Sequence, residues 1–216
     1  IQGEGGINIP PAGWLARCAA ICRKHNVLLI ADEVQTGLGR TGKLLACEHD
    51  GVRPDGVILG KALGGGLLPV SAFLANDALM QVFKPGDHGS TFGGNPLAAA
   101  VAAEALALLA DDKLAERSAR LGAAFLARLQ AIKNPLIVDV RGRGLLIGME
   151  LDTRRVNART AAEWLLARGL MTKDTHDSVL RFAPPLIVGE PELEWAAEVI
   201  EDALADLATR FPGAQA

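Results

Sequence analysis

The chain has 216 residues, half of them hydrophobic and 22% charged, with 24 glycines and 11 prolines. These proportions exclude a disordered or collagen-like polypeptide and leave room for one large or two small domains. Its 22 Lys and Arg face 25 Asp and Glu, and a net charge of −3 offers no global positive field, so neither nucleic acid nor anionic lipid is expected as a partner.

Ile1 begins the sequence without an initiator Met, and Ile1-Gln2-Gly3-Glu4-Gly5-Gly6 has neither the basic nor the apolar region of a signal peptide, so the sequence reads as a fragment from within a longer protein. After Pro10-Pro11, the residues Trp14, Leu15, Cys18, Ile21, Cys22 and His25 recur at three- and four-residue steps. This spacing predicts a helix with Cys18 and Cys22 facing inward. Three cysteines are an odd number in a chain too large to need staples, which points to free thiols in a reducing, cytoplasmic setting.

Val27 to Ala31 is a continuous apolar run, as in a strand covered on both faces within a parallel sheet, and it ends at Asp32-Glu33. Val57-Ile58-Leu59 repeats the pattern and ends at Gly60-Lys61, and a third run, Val70 to Ala75, follows Gly64-Gly65-Gly66. More than twenty residues separate the first two runs, enough for the crossover that parallel neighbours need.

Asn95-Pro96 reads as a helix N-cap followed by proline at the first helical position. The Ala-rich helix behind it is apolar nearly all round and is expected to be buried. Its run Leu97 to Ala110 is 14 residues long and carries Glu104, whereas crossing a bilayer takes ~20 residues, so no membrane span is expected. At Asp111-Asp112 the composition turns charged, with Leu114, Leu121, Phe125 and Ile132 on one helical face. A domain boundary placed there gives segments 1–110 and 111–216. In the second, apolar runs at Leu136 to Val140, Leu145 to Leu151 and Val179 to Phe182 alternate with helical patterns near 158–168 and 191–210, which describes a small α/β layer.

Gly37-Leu38-Gly39-Arg40-Thr41-Gly42-Lys43 imitates a phosphate-binding glycine loop. Leu44 stands where such a loop needs a magnesium-holding hydroxyl, and no long helix follows to aim its dipole at phosphate, so nucleotide binding is not expected. His25, His49, His88 and His176 are scattered without metal-ligand spacing, and no metal site is expected. Arg141 and Arg143 around Gly142 fit either a phosphate clamp or a tight backbone approach before the next strand.

Two strand ends carry the chemistry. Ligands of open α/β sheets bind at the strand ends, and there the sequence supplies a carboxylate, Asp32, and an amine, Lys61. Pyridoxal phosphate enzymes need this pair: a lysine for the Schiff base and an acid that keeps the pyridinium nitrogen protonated.

The strings Leu29-Ile30-Ala31-Asp32-Glu33-Val34-Gln35-Thr36-Gly37 and Leu59-Gly60-Lys61-Ala62-Leu63-Gly64-Gly65-Gly66 resemble the class III pyridoxal phosphate aminotransferases. Within that class, Gly39 to Lys43, Lys84 to Pro96, Arg141 to Gly144, Lys173 to His176 and Leu180 to Pro185 look like the ornithine aminotransferases, and the resemblance runs from Gln2 to about Leu207. It implies an α/β, fold-type I architecture, with 1–110 as the C-terminal part of a mostly parallel large domain and 111–216 as a small C-terminal domain. By the same resemblance, Lys61 is the Schiff-base lysine and proton shuttle, Asp32 the partner of the pyridine nitrogen and Gln35 the neighbour of the phenolic oxygen. Thr91 matches a hydroxyl reaching the cofactor phosphate from the neighbouring subunit, which implies a homodimer with a shared active site. Arg181 matches the arginine gripping the substrate α-carboxylate, and Glu4 the acid that pairs with it or releases it as substrates alternate. The implied reaction moves the δ-amino group of ornithine to 2-oxoglutarate, giving glutamate semialdehyde and glutamate. Two alternatives stand beside it: a class III enzyme acting on acetylornithine or an ω-amino acid, and a non-catalytic fragment that retains a dimerisation surface.

Overall fold

The computed structural model describes residues 1–212 and forms two compact units, Pro10–Ala115 and a second made of Ile1–Ile9 with the chain from Glu116 onward. The nonapeptide Ile1–Ile9, grouped by composition with 1–110, therefore joins the second unit. Residues 213–216 of the segment 111–216 lie outside the described residues.

In the first unit, α1 (Trp14–Lys24) starts at Gly13, whose φ of 72° suits glycine but whose lack of a side chain leaves the helix uncapped. Asp50 substitutes for the missing cap, its carboxylate accepting from the amides of Gly13 at 3.3 Å and Leu15 at 3.0 Å. Ala19 is the buried residue of α1, while Trp14 and Ile21 are exposed. Cys18 and Cys22 are half-buried on the same side of α1 as Ala19, and all three cysteines are free thiols.

β1 (Ile30–Asp32) is shorter than the apolar run that announces it. It pairs in parallel with β2 (Gly56–Leu59), from Ile30 opposite Gly56 to Asp32 opposite Ile58. β1 lies at one end of the order β1-β2-β3, and Val27, Leu28 and Ile30 are exposed on this chain. β3 (Ala72–Ala75) runs antiparallel to β2, because the connection through residues 60–71 holds a short 3-10 turn and no crossover helix. The sheet thus pairs a parallel β1-β2 with an antiparallel β3, as part of a larger α/β domain.

α2 (Asp77–Met80) is capped by Asn76 and α3 (Pro96–Asp111) by Asn95, whose Oδ1 accepts from the amide of Ala98 at 2.8 Å. Within this chain Ala98 and Ala102 of α3 are buried, and Leu97, Leu106 and Leu108 present an apolar face. The helix packs on the turn after β2: a Cβ on Gly65 would lie 3.4 Å from the Ala105 methyl. Leu38, Leu59, Leu63 and Ala102 form the small core of this unit.

The second unit is an antiparallel sheet in the order β4-β5-β7-β6, built from β4 (Ile137–Arg143), β5 (Leu146–Leu151), β6 (Lys173–Thr175) and β7 (Val179–Phe182). Helices α4 (Leu114–Gln130), α5 (Ala158–Leu166) and α6 (Glu190–Arg210) supply the rest of a continuous core that includes Leu121, Phe125, Leu129, Ile147, Met149, Leu180, Ile200 and Leu204. Each such side chain contributes roughly 1.5–3 kcal/mol by leaving water, so this core dominates the stability of the unit. Gly142 is placed by a tight approach, since a Cβ there would stand 2.8 Å from the Leu146 carbonyl oxygen.

Candidate active site

Because β1 and β2 are parallel, Asp32 at the end of one and Gly60-Lys61 at the end of the other emerge on the same sheet edge. Asp32 is exposed, and its carboxylate accepts from the Val34 amide at 3.1 Å, which turns the chain out of β1. Lys61 opens the 3-10 turn Lys61–Gly64 with a φ of 47°, a left-handed conformation that costs a non-glycine residue roughly 1–2 kcal/mol. The strain is held in place by the bonds from the Leu63 amide to the Gly60 carbonyl (3.1 Å) and from the Gly65 amide to the Ala62 carbonyl (3.0 Å), with Leu63 and Gly64 buried beneath. The same left-handed region is occupied by Ile7, Asn26, Leu38, Lys113 and His176, so the strain is one that this fold accommodates at several turns.

Glu33, which the sequence reading passes over, supports this edge. Its carboxylate is buried and accepts from the Thr36 hydroxyl and, at 2.8 Å, from the Cys47 amide, while its carbonyl accepts from the Gly37 amide at 2.9 Å. The half-buried Gln35 lies inside this turn, so Glu33 fixes the backbone that carries both Asp32 and Gln35. The available signal was a second acid directly after Asp32 in an apolar strand, with a hydroxyl three residues on. Burial, then the Glu33 charge, pushes the Cys47 thiol up to about 11.

The loop 37–43 is used for turning. A Cβ on Gly37 would stand 2.8 Å from the Glu33 carbonyl oxygen, and Gly39 and Gly42 have φ of 86° and 88°. Thr41 is buried, with His49 Nε2 at 3.1 Å from its carbonyl oxygen, and burial lowers the Arg40 guanidinium from its ordinary value. Thr91 lies in an exposed stretch shaped by local turns, among them the Gly93 amide to Ser90 Oγ and Asn95 Nδ2 to the Phe92 carbonyl, at 2.9 and 2.8 Å.

In the second unit the structure brings Glu4 and Arg181 together, with a guanidinium-to-carboxylate distance of 2.5 Å. Arg181 is largely buried and Glu4 largely exposed, so the pair has one fixed and one solvated member. Glu4 lies within a loop whose base is closed by reciprocal backbone bonds between Gln2 and Asn8, at 3.0 and 3.2 Å. Arg141 is no phosphate clamp: it contacts Glu150 at 2.6 Å and Asp139 at 2.8 Å, and donates to the carbonyls of Gly6 (2.7 Å) and Ile7 (3.1 Å). Burial alone lowers its guanidinium, but the hydrogen bonds to Asp139 and Glu150 outweigh burial and hold it above its ordinary value.

Asp32, Gln35, Lys61 and Thr91 therefore belong to the first unit, and Glu4 and Arg181 to the second. An amine and a carboxylate on one sheet edge are the donor set that suits an aldehyde cofactor with a basic ring nitrogen. Among the described residues no group of three or more His, Cys, Asp or Glu could hold a metal, and no helix is long and apolar enough to cross a membrane.

Residues 1–204 match the aminotransferase class-III family, whose members are pyridoxal phosphate-dependent. The chain is 56% identical over 205 residues to an ornithine aminotransferase of Bacillus cereus (strain Q1), covering 95% of this chain and 51% of that protein. A solved ornithine aminotransferase from Toxoplasma gondii, described with partial occupancy of PLP at its active site, superposes with a TM-score of 0.93 at 48% identity, covering 97% of this chain and 50% of that one. An acetylornithine aminotransferase from Elizabethkingia anophelis gives 0.91 at 50% identity, over 95% of this chain and 52% of that one. The chain spans about half the length of the curated relatives it matches. Its mixed α/β sheets and these neighbours are those of fold-type I transferases, and with the family matched over nearly its whole length the chain belongs to the class-III aminotransferases.

Proposed function

We propose that this chain is part of an ornithine δ-aminotransferase, which transfers the δ-amino group of ornithine to 2-oxoglutarate and yields glutamate semialdehyde and glutamate. The observation that carries the reading is the placement of Asp32 and Lys61 at the ends of adjacent parallel strands. Pyridoxal phosphate, when bound, supplies an electron sink for the carbon that loses a proton. Lys61 would hold the cofactor through its aldehyde and would move a proton at the substrate carbon. Asp32 would hold the ring nitrogen protonated through a charge-assisted hydrogen bond, Gln35 would serve the phenolic oxygen, and Thr91 would serve the phosphate of a neighbouring subunit's site in a cytoplasmic homodimer. Segments 1–110 and 111–216 supply parts of a large and a small domain respectively, except that Ile1–Ile9 goes with the small one.

Arg181 grips the substrate carboxylate as a planar fork, and Glu4 occupies that fork when the substrate offers none. Glu4 is the solvated partner, so it exchanges cheaply for a substrate carboxylate. The experiment is borohydride reduction of the chain with pyridoxal phosphate, followed by peptide mapping. Incorporation confined to Lys61 and lost in Lys61→Ala supports the assignment, and indiscriminate labelling overturns it for this chain. The 50% identity to an acetylornithine aminotransferase favours a second reading, acetylornithine as donor. Comparing ornithine with acetylornithine as amino donors of the complete enzyme separates the two.

A further inference from the structure

Arg141 on β4, Gly148 on β5 and Arg181 on β7 are successive cross-strand partners, so they line up on one face of the second sheet. The middle position has no side chain, and Ile7 fills the gap between the two arginines. It is fully buried, and a Cβ on Gly148 would stand 2.9 Å from the Ile7 Cβ. Gly6 and Ile7 have φ of 101° and 54°. A β-branched residue does not rest in the left-handed region unless its surroundings hold it there. Arg141 does so, by donating to the carbonyls of both Gly6 and Ile7. Asp139 and Glu150 already answer its charge, so its hold on the loop runs through the backbone.

We propose that Arg141 is a positioning residue that seats the 2–8 loop over Gly148, sets Glu4 against Arg181, and thereby sets how readily Arg181 is released to a carboxylate substrate. The inference rests on the gate reading of Glu4 and Arg181 given above. With the anchor at Gly6 and Ile7 buried and the Glu4 side chain mostly exposed, the anchor decides where Glu4 stands. Gly3 and Gly5 on either side of Glu4 let the acid swing while the anchor stays fixed.

The test measures glutarate binding to the chain by NMR titration for the parent, Glu4→Gln, Arg141→Lys and the double variant, with Arg181→Gln as the site control. Lysine keeps the charge near Asp139 and Glu150 but cannot reproduce the fork on two carbonyls. Glu4→Gln is expected to tighten glutarate about tenfold, within the usual range of coupling between sites. Arg141→Lys is expected to tighten it by a similar factor and to add nothing in the Glu4→Gln background. Hydrogen exchange supplies the second readout: Arg141→Lys speeds exchange at the Asn8 amide, and Glu4→Gln does not. Gly148→Ala displaces Ile7 with Arg141 intact, should behave as Arg141→Lys does, and serves if that variant fails to fold. An effect of Glu4→Gln without one of Arg141→Lys overturns the positioning role alone, as does an Arg141→Lys effect that persists in the double variant. No effect of Glu4→Gln overturns the gate and the positioning role together.

Discussion

Gly122 of α4 and Gly144 of the β4–β5 turn meet with no room for a side chain between them: a Cβ on Gly122 would overlap the Gly144 carbonyl and stand 2.6 Å from its Cα. The obstacle is backbone, which cannot rotate aside. Gly122→Ala is therefore expected to cost about 1–3 kcal/mol of overpacking, read as a lowered urea midpoint. Gly89→Ala, where nothing lies within 4 Å of the added methyl, should leave the midpoint within about 0.5 kcal/mol of the parent.

The strained lysine makes the opposite prediction. At a φ of 47°, Lys61 is in a conformation that glycine adopts freely. Lys61→Gly should raise the stability of the chain by about 1 kcal/mol, while Lys61→Ala, which keeps a Cβ, should not. Thermal unfolding of the two variants side by side decides it. Both lose the amine, so on the proposed role of Lys61 neither variant takes up label from pyridoxal phosphate and borohydride.

Cys47 gives a pH dependence. Its buried thiol keeps its proton to about 11, whereas an ordinary thiol loses it near 9.0. Between these values the unfolded chain binds fewer protons than the native one, so stability is flat below about 9 and falls as pH rises toward 11. Cys47→Ala should remove that component from a pH series of denaturation curves. Iodoacetamide at pH 8 should modify the half-buried Cys18 and Cys22 before Cys47.

The borrowed cap of α1 can be removed on its own. Asp50→Ala leaves the amides of Gly13 and Leu15 without their acceptor and is expected to cost about 1 kcal/mol, the usual value of a lost cap. Asp50→Asn should recover part of it, and chemical denaturation measures both.

Local signals in the sequence were legible where local chemistry decides the outcome. Asn95-Pro96 does start α3, and Leu121, Phe125 and Ile132 do face a core. Neighbours are less legible: Val27 and Leu28 have the composition of an enclosed strand, because composition reports what a segment can bury, and within this chain, about half the length of its relatives, β1 pairs on one side. The Glu4 and Arg181 pairing followed from resemblance, and the geometry brings the two side chains into contact. The roles of Glu33, Asp50 and Arg141, the last noticed only as a possible clamp, were hidden for one reason: each acts on backbone groups of residues that no periodicity connects to it, and a carboxylate or guanidinium carries no mark of the amide or carbonyl it will meet.

The 2–8 loop also has a place in the order of folding. Its contact with Arg141 joins residues 134 positions apart, and its contact with Arg181 spans 177. Loops of this length close late, because their entropy must be lost before any contact repays it, whereas β4 and β5 can pair across a two-residue turn as soon as they are made. The face carrying Arg141, Gly148 and Arg181 is thus complete before the chain's first residues settle on it. On the proposed gate, the acid that meets Arg181 is therefore set by contacts that close late, after the sheet it rests on.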